Sequence, residues 1–147
     1  MKILLAVDDS KFSEEAVQAV IAQAKAQPAE VCVLHVVDTP SLLVTREMGG
    51  YDPGIEAAWE VQRDLGKELL SKTEEVFRSH GLKCSTDLQE GDPKSKIIEA
   101  ADKWGADLII VGSHGRKGLQ RFLLGSVAEA VARHAHCSVQ VVRLRAK

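Results

Sequence analysis

Gly112-Ser113-His114-Gly115 is followed by nine residues and then by Gly125-Ser126, and the whole arrangement comes directly after the apolar run Leu108-Ile109-Ile110-Val111. Glycines let a backbone approach an anion with no Cβ in the way. A helix beginning near Gly125 would aim its free N–H groups and the positive end of its dipole at that anion. The residues from Arg116 to Leu124 would arch out and back, bringing two glycine pairs to one phosphate. The same glycines also read as a strand-end turn at Gly112, loop glycines at Gly115 and Gly118, and a helix cap at Gly125-Ser126. A Walker loop needs lysine before its Ser or Thr, whereas Leu124-Gly125 precede Ser126. A dinucleotide fingerprint would stand after the first strand, where this chain has Asp8-Asp9-Ser10.

No catalytic set accompanies the glycines: no Ser-His-Asp order, paired carboxylate or nucleophilic cysteine stands beside them. His114 reads either as a phosphate donor or as a water-facing loop residue. Arg116, Lys117 and Arg121 add charge near outer phosphates or are simply solvated. His134, His136 and Cys137 lack a second ligand pair for zinc and read as a polar helix end. The three cysteines, Cys32, Cys84 and Cys137, lie in or beside apolar runs and read as buried, reduced thiols. Trp59 and Trp104 fall at helix positions and read as packing residues.

These groups must be held by regular elements, and the chain alternates strand and helix. Ile3 to Val7 is a continuous apolar run, the pattern of a strand covered on both faces. Ser13 with Glu14 and Glu15 reads as the N-cap of a helix that runs to Pro28. Val31 to Val37 is a second buried strand. Thr39 to Gly54, with two prolines and Gly49-Gly50, reads as a long loop carrying enough apolar residues to fold over a ligand or meet a second subunit. Ile55 to Ser79 is a long amphipathic helix ending near Gly81.

Leu82 to Leu88 alternates as a more exposed strand, and Pro93 opens a third helix that ends at Trp104-Gly105. Leu108 to Val111, a helix from about Gly125 to Ala135 and a strand from Val139 to Leu144 complete five strands and four helices. The expected fold is α/β, a parallel sheet with helices on both faces, in a single domain over residues 1–147. Ligands in such sheets sit beyond the strands' carboxyl ends, so Asp8-Asp9-Ser10, Asp38 and Gly112 to Gly115 should share one crevice.

The 147 residues carry 19 basic and 21 acidic side chains, a formal charge of −2, so no global field favours nucleic acid or an anionic membrane. No run approaches the ~20 apolar residues of a membrane span, and the N-terminal apolar run is too short for a signal peptide. A cytoplasmic protein is expected.

The chain resembles the universal stress protein family. Val7-Asp8-Asp9-Ser10 resembles its first-strand Val-Asp-x-Ser signature, with Asp9 where a small residue is common. Leu34-His35-Val36-Val37 resembles its second-strand pattern, and the glycine motif matches its nucleotide-binding motif in full. Cys137 to Val142 resembles its last strand, with Ser138 in the usual place of proline. The resemblance implies a Rossmann-like, adenine nucleotide alpha hydrolase-like sheet of order 3-2-1-4-5 and the ATP-binding branch of the family.

The resemblance also implies roles. Asp8 would lie by the ribose and adenine, and Val36 would meet the adenine through its backbone. Gly112 would meet the ribose or first phosphate, while Gly115, Gly125, Ser126 and Val127 would hold the phosphates. The implied ligand is ATP, or AMP or ADP, with Mg2+ or Mn2+ held through the phosphates. The implied assembly is a homodimer through the C-terminal edge strand, acting on an unidentified protein partner as a stress-response sensor. A slow ATPase and a nucleotide-independent dimeric interaction domain are the alternatives.

Overall fold

A computed structural model describes residues 1–38, 53–115 and 123–144. The expected loop Thr39 to Gly54 lies outside the described residues except for Pro53 and Gly54, which begin a helix. Arg116, Lys117 and Arg121 also lie outside them.

In chain order the elements are β1 (Lys2–Ala6), α1 (Lys11–Ala26), β2 (Glu30–Val37), α2 (Pro53–Ser79), β3 (Lys83–Glu90), α3 (Pro93–Trp104), β4 (Leu108–Gly112), α4 (Ser126–His134) and β5 (Ser138–Val142). The five strands form one parallel sheet in the order β3-β2-β1-β4-β5. Connections from β1 through β3 run one way along the sheet, and the next crossover returns past β1 to β4. Right-handed crossovers then place the helices on opposite faces.

The side chains follow. Ile3, Leu5, Val31, Val33 and Ile110 meet Val20 of α1 and Phe77 of α2 on one face. On the other, Leu4, Leu34, Ile109 and Val111 meet Ile97 of α3 and Val131 of α4. Burial on both faces explains the continuous apolar runs of β1 and β4, while β3, at an edge, leaves Lys83, Ser85 and Thr86 exposed.

Helix ends follow local chemistry, with one correction. Ser13 is not the N-cap of α1: Ser10 is, its hydroxyl accepting from the Ser13 N–H at 3.3 Å. Ser13 lies one turn inside the helix, where its hydroxyl is bound to Asp8. Asp92 and Pro93 open α3, and Gly105 closes it in the left-handed region at φ 74°, a conformation that disfavours any side chain. The three thiols are half-buried rather than buried, and Cys32 and Cys84 sit on opposite faces of the sheet.

Candidate functional site

β1 and β4 are neighbours whose outgoing connections run in opposite directions, so their carboxyl ends part and leave a crevice. A cleft of about 710 Å³ opens there. Asp8, Val36, Gly112, Gly115, Gly125, Ser126 and Val127 all line it. Asp38 lines it too, so the three segments expected to share a crevice do so. Ala6, Leu34, Ile97, Val111 and Ala128 give it an apolar floor.

Asp8 is fixed by the turn that follows β1. Its Oδ1 accepts from the Ser10 N–H at 2.8 Å and from the Ser13 hydroxyl at 2.9 Å, while Ser13 Oγ accepts from the Asp8 N–H at 2.8 Å. Oδ1 shapes the helix entry, and Oδ2 is the oxygen that a Cβ on Gly115 would approach to 3.1 Å.

One residue back, the Val7 N–H donates to Leu34 at 2.9 Å, and the Val7 carbonyl accepts from His35 Nδ1 at 2.7 Å. Strand residues two apart turn their peptide groups to the same side, so Val36 presents its N–H and C=O where Leu34 does, beside the point at which β1 turns away.

The glycines are small for a reason the spacing did not reveal. A Cβ on Gly112 would stand 2.7 Å from Phe12 Cβ and 3.1 Å from the Phe12 carbonyl carbon, so Gly112 admits the first turn of α1. A Cβ on Gly125 would stand 3.0 Å from both His114 Cα and the Ser113 carbonyl oxygen. The two halves of the motif thus lie against each other, joined by the Gly125 N–H to the Ser113 carbonyl at 2.7 Å. Gly125 is the N-cap of α4 and offers no side-chain oxygen to the first-turn N–H groups, and Ser126, Val127 and Ala128 face the cleft.

His114 lines the cleft and is half-buried, and both of its ring nitrogens are engaged by the protein. Its Nε2 is bonded to the Leu123 carbonyl, and its Nδ1 lies 3.0 Å from Ser113 Oγ. Sequence reasoning did not single out His35, Gln62, Pro93 or Ile97, which also line the cleft. His35 had a signal, a polar residue inside an apolar strand, whereas Ile97 looked like any core position of its helix.

None of the three thiols is among the residues lining the cleft. Burial pushes all three up, Cys84 to about 11, with the Glu74 carboxylate adding to the effect there. Among the described residues no group of three or more His, Cys, Asp or Glu side chains is placed to hold a metal ion, and no helix is long and apolar enough to cross a membrane.

Residues 1–143 match the sequence profile of the universal stress protein family. The chain belongs to that family. A universal stress protein of Methanocaldococcus jannaschii is 39% identical over 142 residues, which cover 97% of this chain and 81% of the relative. A solved structure of a hypothetical protein, described as a structure-based assignment of biochemical function, is 29% identical and superposes with a TM-score of 0.83 over 99% of this chain and 97% of that one. An Arabidopsis thaliana member solved with AMP bound shares the fold at 19% identity, with a TM-score of 0.72 over 99% of this chain and 93% of that one. In this universal stress protein family member, the order 3-2-1-4-5 expected from the resemblance is the order observed.

Proposed function

We propose that the cleft binds an adenine nucleotide, with ATP the expected ligand, and that the protein is a nucleotide-dependent regulatory module of the stress response. The observation that carries this reading is the convergence, in one cleft, of an α4 start without a side-chain cap, the two glycine ends and the Asp8 carboxylate. Amide donors at a helix start favour phosphate oxygens, a carboxylate oxygen accepts ribose hydroxyls, and the apolar floor suits a base. The AMP held by the Arabidopsis relative supports the same ligand class. In this assignment Asp8 takes the ribose, Val36 the adenine, Gly112 the ribose or first phosphate, and Gly115, Gly125, Ser126 and Val127 the phosphates. A divalent ion, Mg2+ or Mn2+, would arrive with the phosphates and screen their charge.

Holding is favoured over hydrolysis by the engagement of the polar groups in the cleft. Asp8 Oδ1 and both nitrogens of His114 are already hydrogen-bonded, and in this assignment Asp8 Oδ2 is taken by the ribose, which leaves neither side chain placed to activate water. Protein purified without added nucleotide should release an adenine nucleotide on denaturation, read by mass spectrometry. Nucleotide-stripped protein should be stabilised by about 2.7 kcal/mol when Mg-ATP is present at 100 times its dissociation constant. No thermal shift with ATP, ADP or AMP would sink the assignment, and phosphate release exceeding one equivalent over hours would replace holding by turnover.

The proposal extends to a pair of copies joined along β5. This strand forms one edge of the sheet, and Ser138–Val142 contains neither proline nor a charged residue to block pairing. Light scattering at micromolar concentration should give twice the chain's 16.0 kDa. A single-chain mass there removes the dimer from the proposal.

A further inference from the structure

We infer that His114 is a positioning residue: its imidazole braces the two ends of the glycine motif against each other and is not itself a phosphate donor. The relevance to nucleotide rests on the reading above; the brace itself does not. A carbonyl oxygen only accepts, so the contact with Leu123 requires the hydrogen on Nε2. In the neutral ring Nδ1 is then the acceptor, and the Ser113 hydroxyl, 3.0 Å away, donates to it. Ser113 is 1% exposed, so the imidazole also satisfies a hydroxyl that water does not reach.

The ring is held from a third side by Phe12, whose ring centroid is 5.1 Å away at an interplanar angle of 48°. Phe12 is the same residue that packs over Gly112. One imidazole therefore connects the end of β4, the first turn of α1 and the chain just before α4.

The consequence is geometric. The Gly125 N–H reaches the Ser113 carbonyl at 2.7 Å only while residues 123–125 lie against 113–115. Among the described residues two hydrogen bonds hold them there, this backbone bond and the His114 to Leu123 bond nine residues apart. The ring's N–H is on Nε2, so donating it to a phosphate would require His114 to release Leu123, opening the cradle it closes. Glutamine places an amide nitrogen near the position of Nε2 and keeps the bond to Leu123; alanine removes it.

The test compares His114→Ala and His114→Gln with the parent protein in two measurements. Trypsin is first applied without ligand, reading cleavage after Arg116, Lys117 and Arg121, with Lys25 of α1 and Lys103 of α3 as controls for global unfolding. His114→Ala should be cut about tenfold faster in the 116–121 stretch, the effect of one lost hydrogen bond, with the controls unchanged and His114→Gln near the parent. Affinities for Mg-ATP and for adenosine are measured next. His114→Ala should weaken ATP about tenfold and leave adenosine unchanged, and His114→Gln should restore ATP.

Parent-like cleavage of His114→Ala overturns the brace, and so does equal acceleration at Lys25 and Lys103. Equal loss of ATP affinity in both variants with unchanged proteolysis identifies a direct phosphate contact instead, which also overturns it. If the parent binds no nucleotide while the proteolysis result stands, the brace survives and the nucleotide reading fails.

Discussion

Gly112→Ala, with no nucleotide present, unfolds at a lower urea concentration than the parent, with a loss of about 1–3 kcal/mol. The added Cβ would stand 2.7 Å from Phe12 Cβ, 3.1 Å from its carbonyl carbon and 3.2 Å from its carbonyl oxygen. Two of these neighbours are backbone atoms of the first turn of α1, so no side-chain rotation relieves the contact, and the turn itself must move. Its anchors resist: Ser10 caps the helix, and Ser13 is tied to Asp8.

Gly115→Ala makes the contrast. Among the described residues its Cβ meets Asp8 Oδ2 alone, at 3.1 Å, a contact relieved by a shift of a few tenths of an ångström at that oxygen while Oδ1 keeps its partners. That variant should keep the parent's urea midpoint and lose the stabilisation by Mg-ATP. Equal midpoints for Gly112→Ala and the parent would show that α1 does not rest on the end of β4.

The contrast separates what the sequence reveals from what it cannot. Continuous apolar runs over Ile3 to Val7 and Leu108 to Val111 announce doubly covered strands because burial on both faces removes the need for polar alternation, and both are strands. Pro93 and Gly105 bound α3 for purely local reasons, fixed φ at one end and a left-handed residue at the other, so both ends of that helix were legible. The glycine motif was legible as a feature but not in its cause. Gly112 opposes Phe12 from a hundred residues away in the chain, and no local pattern announces such a partner.

The start of α1 was misplaced for a related reason. Ser10 and Ser13 are equally good caps by type. The choice is made by Asp8, whose carboxylate engages the Ser13 hydroxyl and leaves Ser10 to cap. His114 likewise offered two readings, phosphate or water, and no local pattern announces that its Nε2 engages the carbonyl of Leu123, nine residues on.

Asp8 yields the second large effect, because its two oxygens have separable tasks. Asp8→Ala removes the acceptor for both the Ser10 N–H and the Ser13 hydroxyl, which should lower stability by about 2 kcal/mol and also abolish nucleotide binding. Asp8→Asn is the informative variant. Both local partners of Oδ1 are donors, so the asparagine carbonyl must take the Oδ1 position and its NH2 group the Oδ2 position facing Gly115. The turn keeps its hydrogen bonds, and the urea midpoint should stay near the parent's.

The cleft, however, exchanges a charged acceptor for a donor. If Oδ2 accepts ribose hydroxyls as proposed, Asp8→Asn should weaken adenosine by about tenfold or more, since bonds to a charged group are the stronger ones. The parent and Asp8→Asn should then bind 2′,3′-dideoxyadenosine with similar, weak affinity, because that ligand has no hydroxyl for Oδ2 to accept. Calorimetric titration of both proteins with both nucleosides closes the cycle. Unchanged adenosine affinity in Asp8→Asn would leave Asp8 with the turn alone, and an equal loss for the dideoxy ligand would move its contact from the ribose to the base.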